Sequence, residues 1–165
     1  MRIIFYCVIL SLLSSVRCVK VVTQKPAILT EQKGISVTMD CNIKKPENYY
    51  VSWYKQIPNA APQYVLRYYH SHSSPDEYGD GFSSSRFTSK APSNIDYQLI
   101  ISNVDVTDSA VYYCCTWDDT AKENIFGQGT KLIVNDAAAA DPVLNILRPS
   151  REELSSSKLT LVCLI

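Results

Sequence analysis

Six cysteines, two histidines and a scatter of serines and carboxylates are the residues of this 165-residue chain whose types could do chemistry. His70 and His72 flank Ser71 in a serine-rich stretch, with no third ligand spaced to complete a metal site. Serine, histidine and aspartate are all present, yet none sits in a nucleophile elbow or a recognisable triad. Gly127-Gln128-Gly129 precedes an apolar alternating run and no helix, so it does not cradle phosphate. The expectation is therefore no catalytic residue, no cofactor and no metal; a secreted hydrolase using His70 or His72 is the rival from another class. Cysteine chemistry remains. The stretch "DVTDSAVYYCC", 105–115, ends in Cys114 and Cys115, and neighbours on an extended chain point to opposite faces, so the two cannot enter one core together.

The context for that chemistry is set at the N-terminus. Arg2, the apolar run from Ile3 to Leu13, and small residues at Ser14 and Ser15 give residues 1–18 the layout of a secretory signal peptide, best cut after Cys18. The apolar run is shorter than the roughly 20 residues a membrane span requires. Cleavage would leave 14 basic against 16 acidic side chains, a balance that offers no field for nucleic acid. No later segment is apolar enough for direct membrane insertion, which favours a secreted or extracellular product in an oxidising compartment. Cys41, Cys114, Cys115 and Cys163 then remain, and four cysteines permit three complete pairings.

The elements that must position them read as short strands. From Val19 to Val134 apolar residues recur with a period of two and no helical period is sustained. "ISVTMDC" places Val37, Met39 and Cys41 on one face, and "YQLII" does so with Tyr97, Leu99 and Ile101. "AVYYC" places Ala110, Tyr112 and Cys114 inward and turns Val111, Tyr113 and Cys115 the other way. Such strands call for two sheets packed face to face.

Trp53 follows Cys41 by 12 residues, and Cys114 follows it by 73 with Tyr112 two positions earlier. This arrangement resembles the signature of an immunoglobulin sandwich. The resemblance implies an all-β immunoglobulin V-type two-sheet sandwich, followed by an incomplete C-type domain. It further implies a Cys41–Cys114 bridge, Trp53 packed on its sulfurs, and a Tyr112 hydroxyl returned to backbone. A bridge closing so long a loop stabilises a fold by about 4 kcal/mol in the chain-entropy model. Arg86, in "RF", and Asp108, in "DSAVYYC", resemble the family's buried ion pair. Cys115 is left as a free thiol opening the third loop and covered by the partner chain, the alternative being a bond to a cysteine in the partner's loop, and Cys163 has no partner of its own.

"FGQGTKLIV", 126–134, resembles a joining segment, and Phe126 before Gly-x-Gly points to a light chain or a T-cell receptor chain rather than a heavy chain. "WYKQIPNAAPQYVL", 53–66, is similar to the second framework of light chains, and "PQYVLRYYHSHSS" resembles the sigma-type light chains of fish and amphibians. That resemblance nominates Tyr54, Gln56, Ala61, Pro62, Tyr64, Tyr113 and Phe126 as the heavy-chain interface. Three connections, 42–52, 68–81 and 115–125, would meet at one end and carry Tyr49, Tyr50, Tyr68, Tyr69, Tyr78, Trp117 and Asp118, a composition suited to antigen. The domains implied are a signal peptide at 1–18, a variable domain at 19–135, a switch linker at 136–141, and a truncated constant domain at 142–165. The expected protein is an antibody light chain, secreted or held at the cell surface through a heavy chain and homodimerising when isolated. A T-cell receptor chain is the alternative in the same fold.

Overall fold

The computed structural model describes residues 20–46, 48–136, 145–147 and 162–164, the last two stretches as backbone. The leader expected at 1–18, the linker at 136–141 apart from Asp136, and most of 142–165 lie outside the described residues.

Two sheets form from the alternating segments. One contains β1 (Thr23–Lys25), β3 (Val37–Asn42), β8 (Asp96–Ile101) and β7 (Phe87–Lys90), in the order β1-β3-β8-β7. The other runs β2 (Ile28–Gln32), β11 (Thr130–Asn135), β9 (Ala110–Asp118), β4 (Val51–Gln56), β5 (Gln63–Tyr68) and β6 (Glu77–Tyr78), with β10 (Glu123–Phe126) also paired to β9. All pairings are antiparallel except β2 on β11. Pro26 lies between β1 and β2, where the chain changes sheets; lacking an N–H, proline cannot continue a ladder. The fold is the all-β, V-type two-sheet sandwich.

Side-chain parity sets the core. Val37, Met39 and Cys41 from β3, Tyr97, Leu99 and Ile101 from β8, and Ala110, Tyr112 and Cys114 from β9 are buried between the sheets with Val51, Trp53 and Leu132. Gly129, at φ +87, has Tyr113 Cε1 only 2.7 Å from where a Cβ would stand, so both the backbone angle and the close approach require glycine.

The loops differ from the sequence expectation. Strand β9 continues past Cys115 to Asp118 and is met by β10, so the third connection is only 119–122. The first spans 43–50, and β6 interrupts the second. Polar residues such as Asn124 and Asp118 read as loop, but the ladder between β9 and β10 holds their backbone extended.

The chain divides into two compact units between Asn135 and Asp136. In the second, β12 (Asn145–Leu147) and β13 (Val162–Leu164) pair antiparallel, with Ile146 opposite Cys163.

Candidate functional site

Cys41 and Cys114 are joined by a disulfide that links the sheets, and fully buried Trp53 pairs in register with Cys114 on the neighbouring strand. The Tyr112 hydroxyl donates to the Asp108 carbonyl at 2.9 Å. Asp108, whose side chain is 3 % exposed, pairs with Arg86 and lies 3.8 Å from Lys55 Nζ. Its carboxylate also accepts the Asp105 N–H at 2.8 Å, which closes a capping box on the short 3-10 turn Val106–Asp108. Lys55 in turn donates to the Thr107 carbonyl at 2.8 Å. Burial lowers the pKa of Lys55, Asp108 opposes that shift, and Arg86 adds to it. Sequence reasoning named Arg86 and Asp108 and missed Lys55, because a lysine that shares the inward parity of Trp53 at the end of a strand carries no sign of the carboxylate it will meet.

Gln24 was missed for a similar reason. Its amide donates to the Tyr112 carbonyl at 2.9 Å and accepts the N–H groups of Cys114 and Gly129, linking β1 to β9 and to the residue before β11 while 2 % exposed. The glycine of "FGQGT" was the available signal, since a Cβ on Gly127 would stand 2.3 Å from Gln24 Oε1.

The outer face of the larger sheet carries a row of aromatic rings. Tyr54 lies 5.6 Å from Tyr64 and 5.6 Å from Phe126, ring centre to ring centre, and so sits between them. Phe126 is 51 % exposed, whereas Tyr54, Tyr64 and Tyr113 are half-buried. Ala61 and Pro62 are exposed in the hairpin that follows, and the Gln56 amide donates to the Ala60 carbonyl at 3.0 Å, which fixes that hairpin from within. Tyr64 has its hydroxyl buried with no hydrogen-bond partner, and burial followed by the nearby Glu77 pushes its pKa up to about 12.

At the loop end, the structure separates the seven residues expected to meet antigen. Tyr50 is exposed, and Tyr49, Tyr69 and Trp117 are half-buried. Tyr50 packs on Tyr69 at 5.6 Å, under the Arg67 guanidinium at 4.8 Å from its ring centre. Tyr69 also touches His70 and His72, and His72 Nδ1 lies 2.7 Å from Asp76. Three others are structural. Tyr68 is buried and donates to the His72 carbonyl at 2.6 Å, Tyr78 packs on the core and donates to the Phe87 carbonyl, and Asp118 is buried under backbone N–H groups. Their strand parity turns them inward, which aromatic and acidic composition alone did not reveal.

Cys115 is a free thiol, in line with the expectation, but its place corrects the rest of that expectation. It belongs to β9 and opens no loop, and its own chain reduces it to 3 % exposure, with Ser52 and Phe126 as its neighbours across the ladder. No partner chain is needed to cover it. Burial pushes its pKa up to about 12, and Lys20 opposes the shift. A cleft of roughly 210 Å³ opens beside it, lined by Tyr49, Tyr50, Ser52, Tyr54, Arg67 and Trp117. Among the described residues no group of three or more His, Cys, Asp or Glu is placed to hold a metal ion, and no helix is long and apolar enough to cross a membrane.

A two-sheet V-type sandwich with an inter-sheet disulfide and an aromatic outer face defines a class of recognition domain. Residues 24–135 match the immunoglobulin V-set domain family, and the chain belongs to that family. It is a family of non-enzymatic receptor proteins, and this chain is not an enzyme. Over 96 % of its length the chain is 31 % identical to a viral T-cell receptor beta chain-like protein of feline leukemia virus, of which it covers 50 %. Over 54 % of its length it is 32 % identical to human T cell receptor gamma variable 3, of which it covers 75 %. Among solved structures it is similar to a chain described as a marsupial T cell receptor, with a TM-score of 0.66 and 30 % identity, covering 82 % of this chain and 61 % of that one. The chain thus spans about half the length of the viral relative.

These likenesses overturn the expectation of an antibody light chain, and the sigma-type resemblance gains no support from them: the relatives named above are T-cell receptor chains or like them. Phe126 before Gly-x-Gly packs on Tyr54 of the "WYKQ" strand on the outer sheet face, a role in V-domain packing that does not depend on receptor type. Their physical roles are shared, so they could not tell the types apart.

Proposed function

We propose that this chain is the variable-domain chain of a T-cell-receptor-type antigen receptor, displayed on the extracellular side of a cell. Its larger sheet pairs with a second V domain through Tyr54, Tyr64, Tyr113 and Phe126, with Gln56, Ala61 and Pro62 at the edge. The loop end then supplies half of a ligand-binding surface, recognising its target non-covalently through Tyr50, Tyr69, Trp117 and the neighbouring polar groups. The domains that go with this reading are a leader at 1–18, the variable domain at 19–135, a linker at 136–141 and the opening of a C-type domain at 142–165.

One observation carries the pairing: three aromatic rings in contact on an outer sheet face, ending in a Phe126 that is half exposed. A contiguous aromatic surface of that kind marks an association site. The receptor type is supported by 31 % identity to a T-cell receptor beta chain-like protein along 96 % of the chain. Co-expression of the full chain with T-cell-receptor-type chains and, separately, with immunoglobulin heavy chains from the same source tests it. The expected result is a stable heterodimer with a receptor chain, lost on Tyr54→Glu. A heterodimer formed only with heavy chains, or one indifferent to Tyr54→Glu, would overturn the proposal.

A further inference from the structure

Two neighbouring carboxylates at the base of the 119–122 turn face opposite ways. Asp118, 5 % exposed, accepts the backbone N–H groups of Thr120 at 2.7 Å, Ala121 at 3.1 Å and Lys20 at 3.1 Å. The Lys122 N–H closes the turn on the Asp118 carbonyl at 2.8 Å, with Lys122 itself in the left-handed region at φ +57. Asp119 points outward. One of its oxygens accepts the Tyr49 hydroxyl at 2.7 Å, and the other accepts the Trp117 indole N–H at 3.1 Å and Lys122 Nζ at 3.4 Å.

The partners of Asp119 come from different parts of the loop end. Tyr49 lies in the 43–50 connection, 70 residues away in sequence, Trp117 lies on β9, and Lys122 closes the turn. One carboxylate therefore ties the first connection to the third. A carboxylate suits the task because it offers two accepting oxygens, whereas an amide offers one. Bonds to an ionised acceptor are also stronger than those between neutral groups. The hydrogen bond from Tyr49, then that from Trp117, hold the Asp119 carboxyl below the usual carboxylate range.

We infer that Asp119 is a positioning residue that holds the first and third connections in one arrangement before any ligand arrives. With its own acceptors occupied, Asp119 orients Tyr49 and the Trp117 ring toward the recognition surface without serving as the contact. A preformed surface lowers the ordering cost of binding, which is where rigid aromatic anchors gain their advantage. That the arrangement serves recognition rests on the receptor reading above, while its fixity is measurable in the chain without ligand or partner.

The test compares the native full chain with Asp119→Ala, Asp119→Asn and Tyr49→Phe. The chain has two tryptophans, and Trp53 is fully buried, so the indole N–H signals and quenching by acrylamide report Trp117 separately. Asp119→Ala should speed exchange of the Trp117 indole proton about tenfold, the scale of one lost charge-assisted hydrogen bond. Trp53 should be unaffected, and the unfolding midpoint should fall only slightly because Asp119 is more than half exposed. Asn, which keeps one accepting oxygen, should restore part of the protection, and Tyr49→Phe should loosen Trp117 less than Ala does. Unchanged Trp117 exchange and quenching in Asp119→Ala would overturn the inference, as would equal acceleration at Trp53. A failed co-expression with receptor chains would instead count against the receptor reading alone.

Discussion

Asp108 meets two cations at the base of the sandwich, and single substitutions there test their balance. Arg86 keeps 34 % of its side chain exposed and can rehydrate when its partner is lost, but Lys55 keeps only 12 %. Asp108→Ala should therefore cost about 3 kcal/mol in urea unfolding, the lower end of the range for a buried pair broken on one side. A loss near zero would mean that the network contributes little. Cys115 offers a second test of one side chain. A thiol that is buried, with its pKa pushed to about 12, should resist iodoacetamide at pH 8 in the folded chain and react on unfolding. Mass spectrometry after native and denaturing alkylation reads this directly, and rapid native labelling would contradict the burial.

Among the strands, the aromatic row on β4, β5 and β10 should make the chain self-associate when no partner covers it. Sedimentation velocity should show a dimer that Tyr54→Glu weakens at least about tenfold, since a charge placed at the centre of an apolar contact must be desolvated. A monomer at high concentration in both forms would argue against the patch. The inner face was legible in the sequence because strand parity maps directly onto burial: Met39, Cys41, Trp53, Tyr97, Leu99, Tyr112 and Cys114 all fall inward. The loop end was less legible. Tyr68, Tyr78 and Asp118 have the composition of recognition residues, yet strand direction and backbone donors turn them to structural work. Lys55, Gln24 and Asp119 act on groups 52, 88 and 70 residues away, contacts that no local pattern encodes.

For the whole molecule, stability should follow a plateau in pH with two different edges. Hydrogen bonds from Asn42 and Ser93 lower the pKa of Asp96, those from Lys33 and Thr107 lower that of Asp105, and backbone N–H groups, Ala121 first, lower that of Asp118. Asp119 is lowered by its bond from Tyr49. Carboxyls depressed in the folded state add stability above their unfolded value of 3.8 and lose it as pH falls through the folded values. The other edge runs in the opposite sense. Burial raises Cys115 from 9.0 to about 12 and Tyr97 from 10.0 to about 12, so the unfolded chain ionises first and stability falls as pH rises past 9. Unfolding midpoints measured across the range from acid to alkali should be flat between about pH 5 and 8 and decline on both sides; a single slope throughout would contradict this.

The receptor type and the pairing face rest on different observations, and recovery of the native complex probes both at once. The full chain would be immunopurified from lymphoid cells of its source under non-denaturing conditions, cross-linked, and its partner and contact sites identified by mass spectrometry. The expected partner is a second V-set chain of T-cell-receptor type, with cross-links flanking Tyr54, Tyr64 and Phe126. An immunoglobulin heavy chain as the partner, or cross-links confined to the β1-β3-β8-β7 sheet, would contradict the assignment.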